Sequence, residues 1–317
     1  FLSPRENHRP HGLAHLARMM ERKTHLDSAA MALMVVLCAA WGLQQVAIKV
    51  ANAGISPVWQ ASLRSIGAAV LVWAWAAGKG IRLFERDGTL GPGLLSAALF
   101  AGEFAFIYWG LNYTAASRGV VFLYTAPFMI ALGAHWFLPG EKLRPLQWLG
   151  LACAFAGIVA AFAESLGLPT KSQLLGDGML LLAAVLWAAT TLVIKGSVLA
   201  KVSPAKTLFY QLAGSALVLP FVSLALGEPG VIALTPLVLA SLAYQIVLVA
   251  FASYLVWFWL VKTYPAGRLA AFSFLTPLFG VLAGALLLSE KVSSALAAAL
   301  LLVALGIWLV NRPTKRL

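Results

Sequence analysis

The chain has 317 residues, 61% of them hydrophobic and 11% charged, and a formal net charge of +12. Soluble domains carry about 25% charged residues, so this composition excludes a soluble globular domain. The basic excess must therefore be read by its position along the chain before nucleic acid is invoked.

A bilayer-spanning helix needs roughly 20 apolar residues. The chain opens with a polar tail rich in Arg, His and Pro, residues 1–27, in which Met19-Met20-Glu21 reads as a candidate natural start. Ten apolar spans are then predicted, at 29–53, 58–79, 92–113, 117–138, 147–163, 176–198, 204–226, 237–262, 266–288 and 292–311, followed by a short tail at 312–317. The connections are short and leave no soluble domain. With the N-terminus inside, most of the 23 Lys and Arg residues fall on the inner side. Cytoplasmic Lys and Arg orient helical membrane proteins, so both termini are expected to be cytoplasmic and the charge is first a topology signal.

The chain says the same thing twice, about 150 residues apart. Trp41, Ile48 and Lys49 recur as Trp187, Ile194 and Lys195; Arg118 recurs as Arg268, Pro127 as Pro277, and Glu141-Lys142 as Glu290-Lys291. Each repeat holds five spans, and an odd number forces the second repeat to insert upside down. The expected fold is an all-α polytopic membrane protein: ten transmembrane helices as two inverted five-helix repeats, 28–165 and 175–311, around a central cavity. Inverted repeats are a transporter signature, with substrate near the midplane at the repeat interface.

Pro127 and Pro277 lie midway along spans four and nine. Each removes a helix hydrogen bond and favours a kink, and Thr125 and Thr276 are placed to satisfy freed backbone groups. The pair reads either as static shape or as gating hinges. In span nine Gly280-x-x-x-Gly284 permits close helix approach, expected within the fold rather than between copies.

Glu103 is the candidate that matters most, because it sits near the bilayer centre in span three. A carboxylate there costs roughly 2.5–3.5 kcal/mol on insertion scales. It reads as a site for a substrate ammonium or a proton, or as a structural hydrogen bond; the second repeat has Ser253 at the matching place. Trp41 and Trp187 fall at mid-depth, away from the interfaces that tryptophan prefers. Their helical faces continue through Gln44/Gln45 and Thr190/Thr191, as a cavity wall would. Tyr108, Tyr124, Gln245 and Tyr254 complete the expected pocket.

Arg64, inside span two, reads either as a residue snorkelling outward or as the partner of a substrate carboxylate. Lys49 and Lys195 read as interfacial anchors, Asn112 and Arg118 as caps of the turn between spans three and four, and His135 as structural. Cys38 and Cys153 lie inside apolar spans, where small buried hydrophobes are expected and a disulfide is not. There is no phosphate-binding Gly-x4-Gly-Lys-Ser/Thr loop, no His-Glu-x-x-His pattern and no clustered Cys/His set. Direct ATP drive, metal binding, a cofactor and enzymatic catalysis are therefore not expected. Ser215, in Gly214-Ser215-Ala216, has no membrane histidine obviously placed to activate it.

The chain resembles the EamA-type members of the drug/metabolite transporter superfamily over nearly all of 29–311. The resemblance rests on Trp41-Gly42 with Ile48-Lys49, the Ala115-Ala116-Ser117 turn, the Tyr-Thr-Ala-Pro stretch ending at Pro127, and Gly140-Glu141-Lys142. It rests also on the echoes Leu275-Thr276-Pro277 and Ser289-Glu290-Lys291. Within that family the sequence looks most like YddG-type amino-acid exporters of bacterial inner membranes. That likeness implies alternating-access export of aromatic and other neutral amino acids, with broad specificity and spans five and ten at the periphery. Export of other metabolites or drugs is the alternative, and a channel the more remote one. The expected partners are the amino-acid substrate and the lipid bilayer, with no nucleic acid and no obligate protein partner.

Overall fold

A computed structural model of the chain describes residues 23, 25–111, 113–114, 116–288 and 295–312. Asn112, Ala115, Ser289, Glu290 and Lys291 lie outside the described residues, as do the side chains of Gln45 and Ser117 and most of the N-terminal tail. The helices in chain order are α1 (Ser28–Ala51), α2 (Pro57–Gly78), α3 (Leu90–Gly110), α4a (Ala116–Leu123), α4b (Ala126–Phe137), α5 (Pro145–Ala161) and α6 (Lys171–Gly196). There follow α7 (Pro204–Ala225), α8a (Pro236–Tyr244), a π-helical stretch Gln245–Ser253, α8b (Tyr254–Thr263), α9a (Ala266–Ser273), α9b (Leu275–Leu288) and α10 (Ala295–Asn311). Among the described residues, eight of the ten spans are long and apolar enough to cross a membrane, and α5 and α10 are shorter apolar helices.

Local chemistry sets the helix starts. Asp27 Oδ1 accepts from Ala30 N, Ser203 Oγ from Lys206 N and Thr235 Oγ1 from Val238 N, each satisfying an orphan donor of the first turn. Proline opens α2, α5, α7 and α8a, where its missing N–H costs nothing. The α6 helix starts at Lys171 rather than at 176, because Thr170 and Gln173 close a capping box. It tolerates Asp177 because Arg118 meets that carboxylate at 2.7 Å and Thr114 at 2.9 Å.

The two halves are related by an approximate twofold. α3 packs on α6 as α8 packs on α1; α3 packs on α7 as α2 packs on the π stretch; α9 packs on α1 as α4 packs on α6. The pairs α2–α7, α4–α9 and α5–α10 map onto themselves. The inversion shows at the loops. The α1–α2 turn is fastened to the α7–α8 loop by Ser56 N donating to Gly230 O at 2.8 Å, and Glu228 accepts from Val58 N and Trp59 N. Its repeat counterpart, the α6–α7 turn, lies at the opposite face, beside the clamp in which Lys206 meets Asp87 at 2.8 Å. The Lys206 ammonium holds the Asp87 carboxyl down to about 2.

Both proline spans are broken where expected. Span four interrupts at Tyr124-Thr125, immediately before Pro127, and Thr125 Oγ1 donates to Phe122 O at 2.7 Å. Span nine interrupts at Phe274, just before Pro277. Thr276 does not repeat the role of Thr125: its hydroxyl makes no hydrogen bond to the described residues, and Thr276 lines the cavity. Span eight carries an unanticipated asymmetry, the π stretch, which α3 lacks.

Close helix approaches explain particular glycines. A Cβ on Gly42 would lie 2.7 Å from Gly280 N, so the Gly280 surface is spent on α1 inside the fold. A Cβ on Gly150 would meet Gly306 O at 2.7 Å, and one on Gly306 would meet Ala154 N at 2.6 Å. Gly306→Val should therefore wedge α10 off α5. Overpacking of this kind costs about 1–3 kcal/mol, read as a lowered thermal midpoint of the solubilised protein; an unchanged midpoint contradicts the contact.

Candidate functional site

A cavity of about 220 Å³ lies between the repeats, walled by α1, α3, α4a, α6, α7, α8b and α9b. Its lining includes Trp41, Gln44, Glu103, Tyr108, Tyr124, Trp187, Thr191 and Tyr254. Eight of the nine expected pocket residues thus come together. The exception is Gln245, which is fully buried away from the cavity with Nε2 on Ser241 O; it lies in the π stretch, whose altered turn changes which side chains face inward.

Helical spacing places the wall. Glu103, Phe104, Ile107 and Tyr108 lie on one face of α3, and Trp187, Thr190 and Thr191 on one face of α6. Trp41 packs edge-on against Trp257 at 5.5 Å and donates from Nε1 to Ser253 Oγ at 2.9 Å. Its repeat counterpart Trp187 packs edge-on against Tyr124 at 5.9 Å. Edge-to-face geometry fixes aromatic rings at little entropic cost. Phe100, Phe104 and Tyr254 fill the wall between them.

Few polar groups reach this apolar enclosure, and they are mostly acceptors. No hydrogen bond from the described residues reaches the Glu103 carboxyl group, the one acidic side chain in the lining. Gln211 gives its amide N–H to Ser96 Oγ at 3.0 Å, which leaves Oε1 unmatched at the cavity. Thr190 and Thr191 donate back to Leu186 O and Trp187 O, so only their lone pairs remain for a guest. Tyr108 OH has no hydrogen-bond partner among the described residues. Sequence reasoning missed Thr276, Phe100 and Phe104 as lining residues; nothing in the sequence separates Phe100 from a lipid-facing phenylalanine.

The cavity reaches Leu111, Gly119 and Leu180 on the face opposite the N-terminus. Toward the N-terminal face it is closed by a packed core containing Cys38, Val261, Leu269 and Phe272. Below that core lies an ion-paired latch. Lys195 meets Glu141 at 2.6 Å with side chains 1% and 7% exposed, and donates to Tyr264 O. Glu141 Oε2 also accepts from Ala266 N at 2.7 Å. This corrects one expectation: Lys195 is no interfacial anchor but is buried against Glu141 and Tyr264 O. Their pairing joins the repeats, and low exposure makes it costly to break.

Arg118 is likewise no simple turn cap, since it pairs with Asp177 and donates to Gly167 O at 2.9 Å. Arg64 does not snorkel; it is fully buried, 4.2 Å above the ring of Phe104. Lys49 is exposed as expected, and His135 is structural, its Nδ1 accepting from Leu143 N at 3.0 Å. Cys38 and Cys153 are free thiols, and the described residues contain no group of His, Cys, Asp and Glu able to hold a metal.

Ten helices in two repeats around a closed-ended, solute-sized cavity define a multi-pass membrane transporter rather than an enzyme. The chain belongs to the EamA-like transporter family of the drug/metabolite transporter superfamily, which it matches over residues 28–163 and 174–312. It is 28% identical over 272 residues to a probable amino-acid metabolite efflux pump of Escherichia coli, covering 83% of this chain and 87% of that one. It is 26% identical over 275 residues to an uncharacterized transporter of Archaeoglobus fulgidus, covering 86% and 91%. A crystal structure at 22% identity superposes with a TM-score of 0.78, covering 90% of this chain and 97% of the other, and supports the fold alone.

Proposed function

We propose that this protein is a secondary carrier that exports neutral amino acids, aromatic ones included, across a bacterial inner membrane by alternating access, with both termini cytoplasmic. The observation that carries the reading is the pairing of one carboxyl group that receives no hydrogen bond from the described residues, Glu103, with an aromatic enclosure. The ammonium of a substrate would sit between Glu103 and Gln211 Oε1. Trp41, Trp187, Tyr124 and Tyr254 would hold an apolar or aromatic side chain by contact area and edge-to-face packing, without selecting one shape. Gln44 and Thr191 would add polar contacts, and the breaks before Pro127 and Pro277 would act as hinges.

The size of the cavity supports a small solute. Drug-sized pockets run from about 300 to 1,000 Å³, above the 220 Å³ found here. A phosphorylated metabolite would want several cationic groups at the wall; the lining itself has none, and a single guanidinium, Arg64, lies behind the Phe104 ring. The relatives described as probable amino-acid metabolite efflux pumps favour the same substrate class.

Proteoliposome counterflow with a panel of labelled amino acids tests the reading. Saturable exchange, accelerated by substrate on the far side, is expected. No flux above empty vesicles for any amino acid sinks it, and flux that rises linearly without saturation favours a channel.

A further inference from the structure

Arg64 is the outlier of the buried polar set. It has no exposed surface, and none of Nε, Nη1 or Nη2 makes a hydrogen bond to any of the described residues. No carboxylate of the described residues lies within 4.0 Å of it. A guanidinium cannot shed its proton, and a buried charge without a partner is strongly destabilising. The ring of Phe104, 4.2 Å from Cζ, offers partial compensation through its π face, which is weaker than an ion pair with a carboxylate. Fixed positive charge without a matching acceptor, at the wall of a solute cavity, asks for an anion.

The surroundings say where that anion comes from. Phe104 lines the cavity, so Arg64 stands one ring behind the cavity surface. Glu103, Tyr108 and Tyr254, all in the lining, lie within electrostatic reach of the guanidinium, and the Tyr254 hydroxyl stops short of hydrogen-bond geometry. Opposite charges that share one wall without touching match a molecule carrying both charges a few ångströms apart.

We propose that Arg64 is a shuttered carboxylate site, covered by Phe104 in this structure and uncovered when that ring turns, so that the transporter selects free zwitterionic α-amino acids over their amides and amines. The proposal rests on the transport reading above and narrows its substrate class. Arg64 would take the α-carboxylate through its planar fork and Glu103 the ammonium. Phe104 trades its contact with the guanidinium for one with the substrate side chain. The second repeat has Gln211 where the first has Arg64, so the charge recognition is single although the fold is doubled.

Competition against labelled phenylalanine exchange, by phenylalanine, phenylalaninamide and phenethylamine, tests the site. In the wild type the amide and the amine should compete at least tenfold more weakly than the acid. Arg64→Gln should bring acid and amide within about twofold of each other, and Arg64→Lys should restore part of the preference. Phe104→Ala should strengthen competition by the acid without strengthening that by the amine. An acid-to-amide ratio unchanged in Arg64→Gln overturns the proposal. If Arg64→Gln does not fold, thermal stabilisation of the solubilised wild type and Phe104→Ala by the three compounds decides it. Equal stabilisation by acid and amide in both overturns it, and a larger acid effect in Phe104→Ala sustains it. A wild type that moves no amino acid sinks the transport reading alone, because the stabilisation measurement still reports on the carboxylate site.

Discussion

Replacing Lys195 with Met is expected to strand the Glu141 carboxylate in a buried site and to open the N-terminal face. The pair meets at 2.6 Å with almost no exposure, and removing one partner of a buried ion pair costs about 3–5 kcal/mol. Part of that cost can be escaped by moving Glu141 to water, which requires α6 and the α8–α9 turn to part. Cys38 reports the movement. Its thiol is fully buried against Phe272 O on the N-terminal side of Trp41, so opening that face should expose it. In a Cys153→Ala background, Lys195→Met should speed modification of Cys38 by a membrane-impermeant thiol reagent by at least tenfold. The double variant Glu141→Gln/Lys195→Met should recover much of the wild-type protection, because neither charge is then left alone. Labelling of Cys38 unchanged by Lys195→Met removes the latch from this role.

Glu103→Gln is expected to weaken half-saturation by amino acids about ten- to a hundredfold. The substitution keeps the volume and removes the charge. A hydrogen bond to a charged group contributes about 1.5–3 kcal/mol, and each 1.4 kcal/mol is a factor of ten in affinity. Competition by uncharged analogues of similar shape should change little, since the aromatic wall is untouched. Equal half-saturation for phenylalanine in wild type and Glu103→Gln would move the ammonium site elsewhere. Gln211→Leu offers a graded control: it removes only the unmatched Oε1 acceptor and the donor to Ser96 Oγ, so its effect should be smaller.

Much of the architecture was legible because membrane insertion writes in a simple alphabet. Long apolar runs, an odd repeat and paired prolines mark the ten helices and their breaks without any tertiary contact. Trp41 and Trp187 were readable as cavity residues because their depth is wrong for an interfacial tryptophan. Lys195 was misread for the opposite reason: at a span end, depth favours an anchor, and only the approach of Glu141 and Tyr264 O makes burial affordable. Gln245 was misread because nine residues of π-helix advance the face, and nothing in Gln-Ile-Val-Leu-Val-Ala-Phe-Ala-Ser signals that change of pitch.

The sequence by itself determined that this chain lives in a bilayer, that it is built twice in opposite orientations, and that one carboxylate sits at mid-depth, because hydrophobicity, charge placement and spacing along a helix are local quantities. The tertiary structure decided which buried charges meet and which are kept apart. Lys195 finds Glu141 across the repeat boundary, while Arg64 and Glu103 share a wall without pairing. Those outcomes depend on distances of a few ångströms between helices far apart in the chain, where a low-dielectric interior makes each ångström count, and no local pattern encodes them.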